Sequence, residues 1–154
     1  LGLLDQPRLL FIKQSDAQRA RINLFAVMNH PTAPYYNHLT LAAHEELVQI
    51  DLRQALTRQP TSRTDKLYLV CTNGNKDKCC AKFGMACYRE LRHHVPPQRV
   101  WQCAHVGGDR FAPNIVVAPD AAYFGGVPIT RVADFAASLE RGHIVPAYYR
   151  GRSG

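Results

Sequence analysis

At 154 residues, 46% hydrophobic and 20% charged, the chain has the length of one compact domain with a core of its own, so two independent cores and a need for disulfide staples are both excluded. No apolar run approaches the ~18 residues of a membrane span and no basic-then-apolar leader follows Leu1, which points to a soluble, cytoplasmic protein without membrane partners. Lys plus Arg number 19 against 12 Asp plus Glu, a formal net charge of +7, but the basic residues are scattered and no recognition-helix or zinc-finger spacing accompanies them, so an acidic protein partner is expected and nucleic acid is not.

Along the chain, residues 8–13 and 22–28 are short apolar runs that read as two buried strands on either side of a polar turn, Gln14 to Ala20. From Pro31 to His38 two prolines and paired tyrosines break any period, and residues 41–57 mix alternation with helix-like content, so neither stretch is assignable from its pattern. Gln59 to Asp65 is a polar connector. Leu67 to Val70 is a strand, Thr72 to Lys78 a polar loop, and Cys80 to His94 a helix whose apolar stripe is Phe83, Cys87 and Leu91. Pro96-Pro97 ends that helix. Arg99 to His105 is a second strand, Gly107-Gly108 a turn and Asn114 to Ala118 a third strand. Tyr123-Phe124 begins a short fourth strand, and Thr130 is placed to cap a last helix with the stripe Val132, Phe135, Ala136 and Leu139. From Leu67 onward the order is β-α-β, then β-β-α, which is the order of the thioredoxin-like fold: an α/β architecture with helices covering a mixed sheet. The chain divides into an N-terminal β-containing extension, 1–64, packed on the same domain, a core at 65–146, and a tail at 147–154 expected to be flexible. Its ends suggest trimming or membership of a longer chain.

All five cysteines (Cys71, Cys79, Cys80, Cys87, Cys103) fall in the middle of the sequence, an odd and clustered set that reads as metal or redox chemistry in a reducing compartment rather than a disulfide framework. Cys71 leaves a strand end, Cys80 opens a helix, and His105 leaves the next strand four residues before Asp109. Loops that follow adjacent strands on one side of a sheet lie side by side, so topology can bring the four together. The helix N-terminus, with Lys76 and Lys78, favours a thiolate at Cys80. Cys87 sits on the helix stripe and reads as core, and Cys79 as structural or spare. On residue types alone, Cys71, Cys80, His105 and Asp109 suit zinc about as well as iron–sulfur.

The stretches Val70-Cys71-Thr72-Asn73-Gly74, Asp77-Lys78-Cys79-Cys80-Ala81 and His105-Val106-Gly107-Gly108-Asp109-Arg110-Phe111-Ala112-Pro113-Asn114 resemble the sucrase/ferredoxin-like proteins, which belong with the thioredoxin-like [2Fe-2S] ferredoxins. The resemblance extends to Leu9-Leu10-Phe11-Ile12, Asp51-Leu52 and Tyr149-Arg150-Gly151-Arg152. It implies a [2Fe-2S] cluster held by C-x8-C and H-x3-H. Cys71 and Cys80 match the first half and His105 begins the second, but Asp109 stands where the family has its second histidine. Asp109 then has three readings: an iron ligand in place of histidine, a bystander with Cys103 as fourth ligand, or the mark of a site that has lost its cluster. The resemblance implies an electron carrier rather than an enzyme, the charge placement adds an acidic surface on its redox partner, and no carboxylate pair is placed for glycoside hydrolysis. Alternatives are a thiol–disulfide oxidoreductase using Cys79-Cys80 or Cys71, against which the missing C-x-x-C counts, and a zinc-stabilised interaction module.

Overall fold

The structure is a computed structural model that describes residues 8–14, 21–75 and 78–153. In chain order it runs β1 (Ile12–Lys13), β2 (Ile22–Met28), β3 (Tyr35–Leu41), a 3-10 turn, α1 (Leu52–Leu56), β4 (Leu67–Cys71), a π-turn (Cys80–Gly84) that leads into α2 (Met85–His94), β5 (Val100–Cys103), β6 (Asn114–Ala118), β7 (Ala122–Gly125), α3 (Val132–Glu140) and β8 (Tyr149–Arg152). Six strands form one mixed sheet in the order β1-β5-β4-β6-β7-β8, in which only β4 and β5 run parallel. Strands β2 and β3 pair with each other as a separate hairpin. The mixed α/β sheet, with the strand and helix order expected from Leu67 onward, is the thioredoxin-like arrangement.

The central strands are buried on both faces, and their alternation sorts the core into two layers. Tyr68, Val70, Val100, Ile115 and Val117 point to the face covered by α2 and α3, where Tyr88, Leu91, Val132, Phe135 and Leu139 complete the packing. Leu67, Leu69, Cys71, Trp101, Cys103, Val116 and Ala118 point to the opposite face, where Tyr36, Phe25 and Val27 of the hairpin meet them. Phe25 packs edge-on against Trp101 at 5.2 Å between ring centroids and against Tyr36 at 5.9 Å. Tyr36 is fully buried, and its hydroxyl donates to Asp65 at 3.0 Å. Arg63 grips the same carboxylate at 2.7 Å, and Arg99 joins Asp65 to Glu140. The N-terminal hairpin is therefore one of the two layers that close the sheet.

The structure corrects several expectations. The first strand is only Ile12–Lys13 and is not buried throughout: Leu9 and Phe11 are 77% and 75% exposed. The reason is that this segment lies on the sheet edge, where alternate side chains face solvent while Leu10 and Ile12 turn to the core. Tyr35–Leu41, without a legible period, is a full strand because seven residue pairs with β2 override the interruption by Pro31 and Pro34. In the ambiguous 41–57 stretch, Asp51 caps α1 by accepting from the amides of Arg53 and Gln54. Thr130 is not a cap: it lies in a 3-10 turn (Ile129–Arg131), and α3 starts after Arg131 with no side-chain cap. The tail expected to be flexible holds a strand, β8, paired antiparallel with β7. Most of the expected polar turn at Gln14 to Ala20 lies outside the described residues. No helix among the described residues is long and apolar enough to cross a membrane.

Candidate metal centre

Parallel pairing aligns Cys71 of β4 directly with Cys103 of β5, so the two loops leaving these strands emerge side by side. One loop returns to Cys80 at the π-turn, and the other carries His105. The donor atoms of Cys71, Cys80 and His105 all lie within 4.8 Å of one another. Both thiols are fully buried and the imidazole is half-buried. His105 lines a cleft of about 290 Å³ with Arg8, Leu9, Leu10, Val106 and Tyr123, so the group opens to solvent on the histidine side.

Two local devices create the convergence. The first is the π-turn, whose extra residue rotates the start of the helix relative to α2. The inward-facing set becomes Cys80, Gly84, Cys87, Tyr88 and Leu91, and Phe83, expected on the buried stripe, is 46% exposed with the Lys82 ammonium 5.4 Å from its ring. The second is Gly84. A Cβ there would lie 2.0 Å from the Cys71 carbonyl oxygen, so only glycine lets the helix backbone rest on the end of β4. The sequence reading missed Gly84, since a glycine inside a helical pattern carries no sign of what it touches.

The His105 loop is fastened at its far end. Gly107 and Gly108 have positive φ, and the 3-10 turn Asp109–Phe111 is closed by the Phe111 amide donating to the Gly108 carbonyl at 2.8 Å. The buried Asn114 side chain donates to the same carbonyl at 2.8 Å, and the Gly126 amide donates to the Phe111 carbonyl at 2.6 Å. Asp109 is on this turn, but its side chain is outside the described atoms, as are Lys76 and Asp77. Lys78, Lys82 and Arg110 are exposed on the segments that surround the group.

Cys103 lies on the same sheet face as Cys71 and packs in the same apolar cluster as Cys71 and Cys80, although it is not one of the mutually close donors. Burial, and then the charge interaction with the neighbouring Cys71 and Cys80 side chains, push its thiol well above the ordinary range. Cys87, pushed up to about 12 by burial and then by Glu90, is core, as its place on the helix suggested. Cys79 is exposed, and no disulfide joins any two cysteines.

Two soft sulfur donors on one side and an imidazole on the other are a set that suits an iron–sulfur centre with mixed ligation, and three donors this close also suit a single tetrahedral zinc. The residues present therefore fit a bound metal group.

The fold and this pocket define a thioredoxin-like α/β protein with a Cys/Cys/His group whose donors are close enough to hold a metal. A thioredoxin-like [2Fe-2S] ferredoxin from Aquifex aeolicus has a similar fold, with a TM-score of 0.52 and 16% identity over 60% of this chain and 96% of that one. A second structure of that wild-type ferredoxin superposes with a TM-score of 0.50 and 16% identity, over 58% of this chain and all of the other. No curated protein sequence matches the chain. The sucrase/ferredoxin-like family model matches residues 8–151, and the chain belongs to that family.

Proposed function

We propose that this protein is a single-electron carrier whose [2Fe-2S] cluster is held by Cys71, Cys80, His105 and Asp109. The observation that carries the reading is the convergence of Cys71, Cys80 and His105 within 4.8 Å at the joined ends of β4 and β5. A bound cluster of this type supplies a centre that accepts and releases one electron. Cys71 and Cys80, fully buried, present two thiolates to iron and keep water from that side. Cys103 and the apolar cluster around Leu69, Trp101 and Val116 form a wall of low polarity behind them. His105, half-buried, stands at the edge of the group, and its cleft offers an incoming partner an approach. Asp109 takes the fourth position, on the turn whose backbone the Gly108, Asn114 and Gly126 hydrogen bonds hold. Exposed Lys78, Lys82 and Arg110 favour an acidic protein partner, and five cysteines without a disulfide favour a reducing compartment such as the cytoplasm.

The same closeness of three donors favours zinc as the second reading. A thiol–disulfide exchange role is opposed by the burial of Cys71 and Cys80, because an attacking thiolate needs access to its target. One experiment separates the readings: anaerobic purification followed by iron, acid-labile sulfide and zinc analysis, with electron paramagnetic resonance after reduction. About two irons and two sulfides per chain and a signal from one unpaired electron are expected. Zinc without sulfide would establish the interaction module instead.

A further inference from the structure

Arg150 lies outside both halves of the ligand pattern, yet its side chain reaches the loop that carries the second half. Its guanidinium carbon stands 4.7 Å from the centroid of the Phe111 ring, and its Nη2 donates to the Gly125 carbonyl at 3.3 Å. Below that ring the chain is packed without slack. A Cβ on Gly125 would lie 2.9 Å from the Phe111 Cβ and 3.0 Å from its carbonyl oxygen, and Gly126 donates its amide to that oxygen. Phe111 is thus pressed between the end of β7 and a cation from β8. It ends the 3-10 turn that begins at Asp109, and it follows His105 by six residues. Arg110 also brings its guanidinium to the ring, at 5.2 Å, but it belongs to the loop itself and cannot tether it to the sheet.

We propose that Arg150 is a positioning residue: by clamping Phe111 onto the end of β7, it fixes the loop from His105 to Phe111 against the thiols of Cys71 and Cys80. The significance for iron rests on the proposed function, whereas the clamp itself concerns only the chain. Arg150 is exposed, so its removal leaves the core intact, and the effect belongs to the loop. Arg152 provides a matched comparison. It sits on the same strand, pairs with Ala122 at the start of β7, and donates to the Asp120 carbonyl at 2.9 Å and to the Asn29 side chain at 3.1 Å.

The test compares Arg150→Ala, Arg150→Lys and Arg152→Ala in two measurements. Amide hydrogen exchange across residues 105–112 is followed in protein freed of metal, and chelator-driven cluster loss is followed in protein loaded with iron and sulfide. In Arg150→Ala, exchange of this loop and cluster loss should each quicken about two- to fivefold, the size expected for an exposed cation–π contact, while the thermal midpoint stays with that of Arg152→Ala. Arg150→Lys, which keeps a cation for the ring, should recover part of the difference. Equal loop exchange in Arg150→Ala and Arg152→Ala, or a change in the thermal midpoint without one in the loop, would overturn the clamp. If no preparation takes up iron and sulfide, the exchange measurement still decides the clamp, and the failure falls on the cluster assignment alone.

Discussion

Substituting Gly84 by alanine tests the join between α2 and β4 in a way that fixes even the sign of the effect. Gly84 has helical dihedrals, φ −64° and ψ −42°. At an open helical position alanine is favoured over glycine by ~1 kcal/mol, so without a close contact the variant would be more stable than the parent. The added Cβ, however, would meet the Cys71 carbonyl oxygen at 2.0 Å and its carbonyl carbon at 3.1 Å. Both partners are backbone, so no rotamer change relieves the overlap. Restoring a separation of even 3.0 Å needs a shift of about 1 Å between strand end and helix, and such overpacking costs roughly 1–3 kcal/mol. Metal–ligand distances tolerate only about 0.2 Å, and Cys71 and Cys80 sit on opposite sides of the widened gap. The expected outcome is a metal-free protein destabilised by roughly 1–3 kcal/mol in urea denaturation, with iron and sulfide content well below that of the parent after reconstitution. A Gly84→Ala protein that is stabilised and reconstitutes fully would show that β4 and the π-turn are not in contact.

Other outcomes follow from the same geometry. Cys71→Ser and Cys80→Ser should each abolish iron and sulfide retention, while Cys87→Ser, in the core on the helix face, should keep it; retention in either of the first two would refute the ligand set. Asp109→His should keep a cluster and raise its reduction potential in voltammetry, because a neutral imidazole in place of a carboxylate makes the site about one charge less negative; an unchanged potential would remove Asp109 from the ligands and bring Cys103 forward. Burial alone would raise the Asp65 carboxyl, but hydrogen bonds from Arg63 and Tyr36 and the charges of Arg63 and Arg99 outweigh it and hold it below the ordinary aspartate value. A carboxyl depressed on folding stabilises above its unfolded pKa and loses that contribution as pH falls through its folded one. Asp65→Asn should therefore lower the thermal midpoint at pH 7, with the gap closing below about pH 3.9; a gap independent of pH would contradict this. With Lys78, Lys82 and Arg110 exposed around the site, electron exchange with an anionic iron complex should slow as salt rises and exchange with a cationic ruthenium complex should quicken, and indifference to salt in both would refute an electropositive rim.

The parts of the site that follow from local pattern were legible in the sequence. The run Leu67 to Val70 is long enough to identify as a strand, and the polar loop after it places Cys71 at its end and Cys80 at the next helix start, as observed. Parallel pairing of β4 with β5 was legible through the β-α-β order, which leaves few topologies. What escaped was set by contacts distant in sequence. A regular 3.6-residue period puts Phe83 on the buried stripe, and the π-turn breaks that period over the first five residues of the expected helix. Leu9 and Phe11 read as buried because an apolar run does not reveal that it will lie at an edge. Tyr35 to Leu41 had no signal of its own, since its register comes from β2 and the burial of Tyr36 from Phe25 on that same strand and Trp101 across the layer.

The hairpin's position carries a consequence for how this chain can be cut. The solved ferredoxin is matched almost entirely by 60% of this chain, which invites the view that the first 64 residues are a detachable addition. Tyr36 is fully buried, however, its backbone pairs with Arg63, and Phe25 and Val27 lie over the sheet face that carries Cys71, Trp101 and Cys103. A chain begun at Asp65 would open that face to water, giving up roughly 1.5–3 kcal/mol for each large side chain uncovered and wetting the wall behind the two thiols. The hairpin thus serves this protein as insulation, and the smallest unit able to keep Cys71 and Cys80 dry is nearly the whole chain.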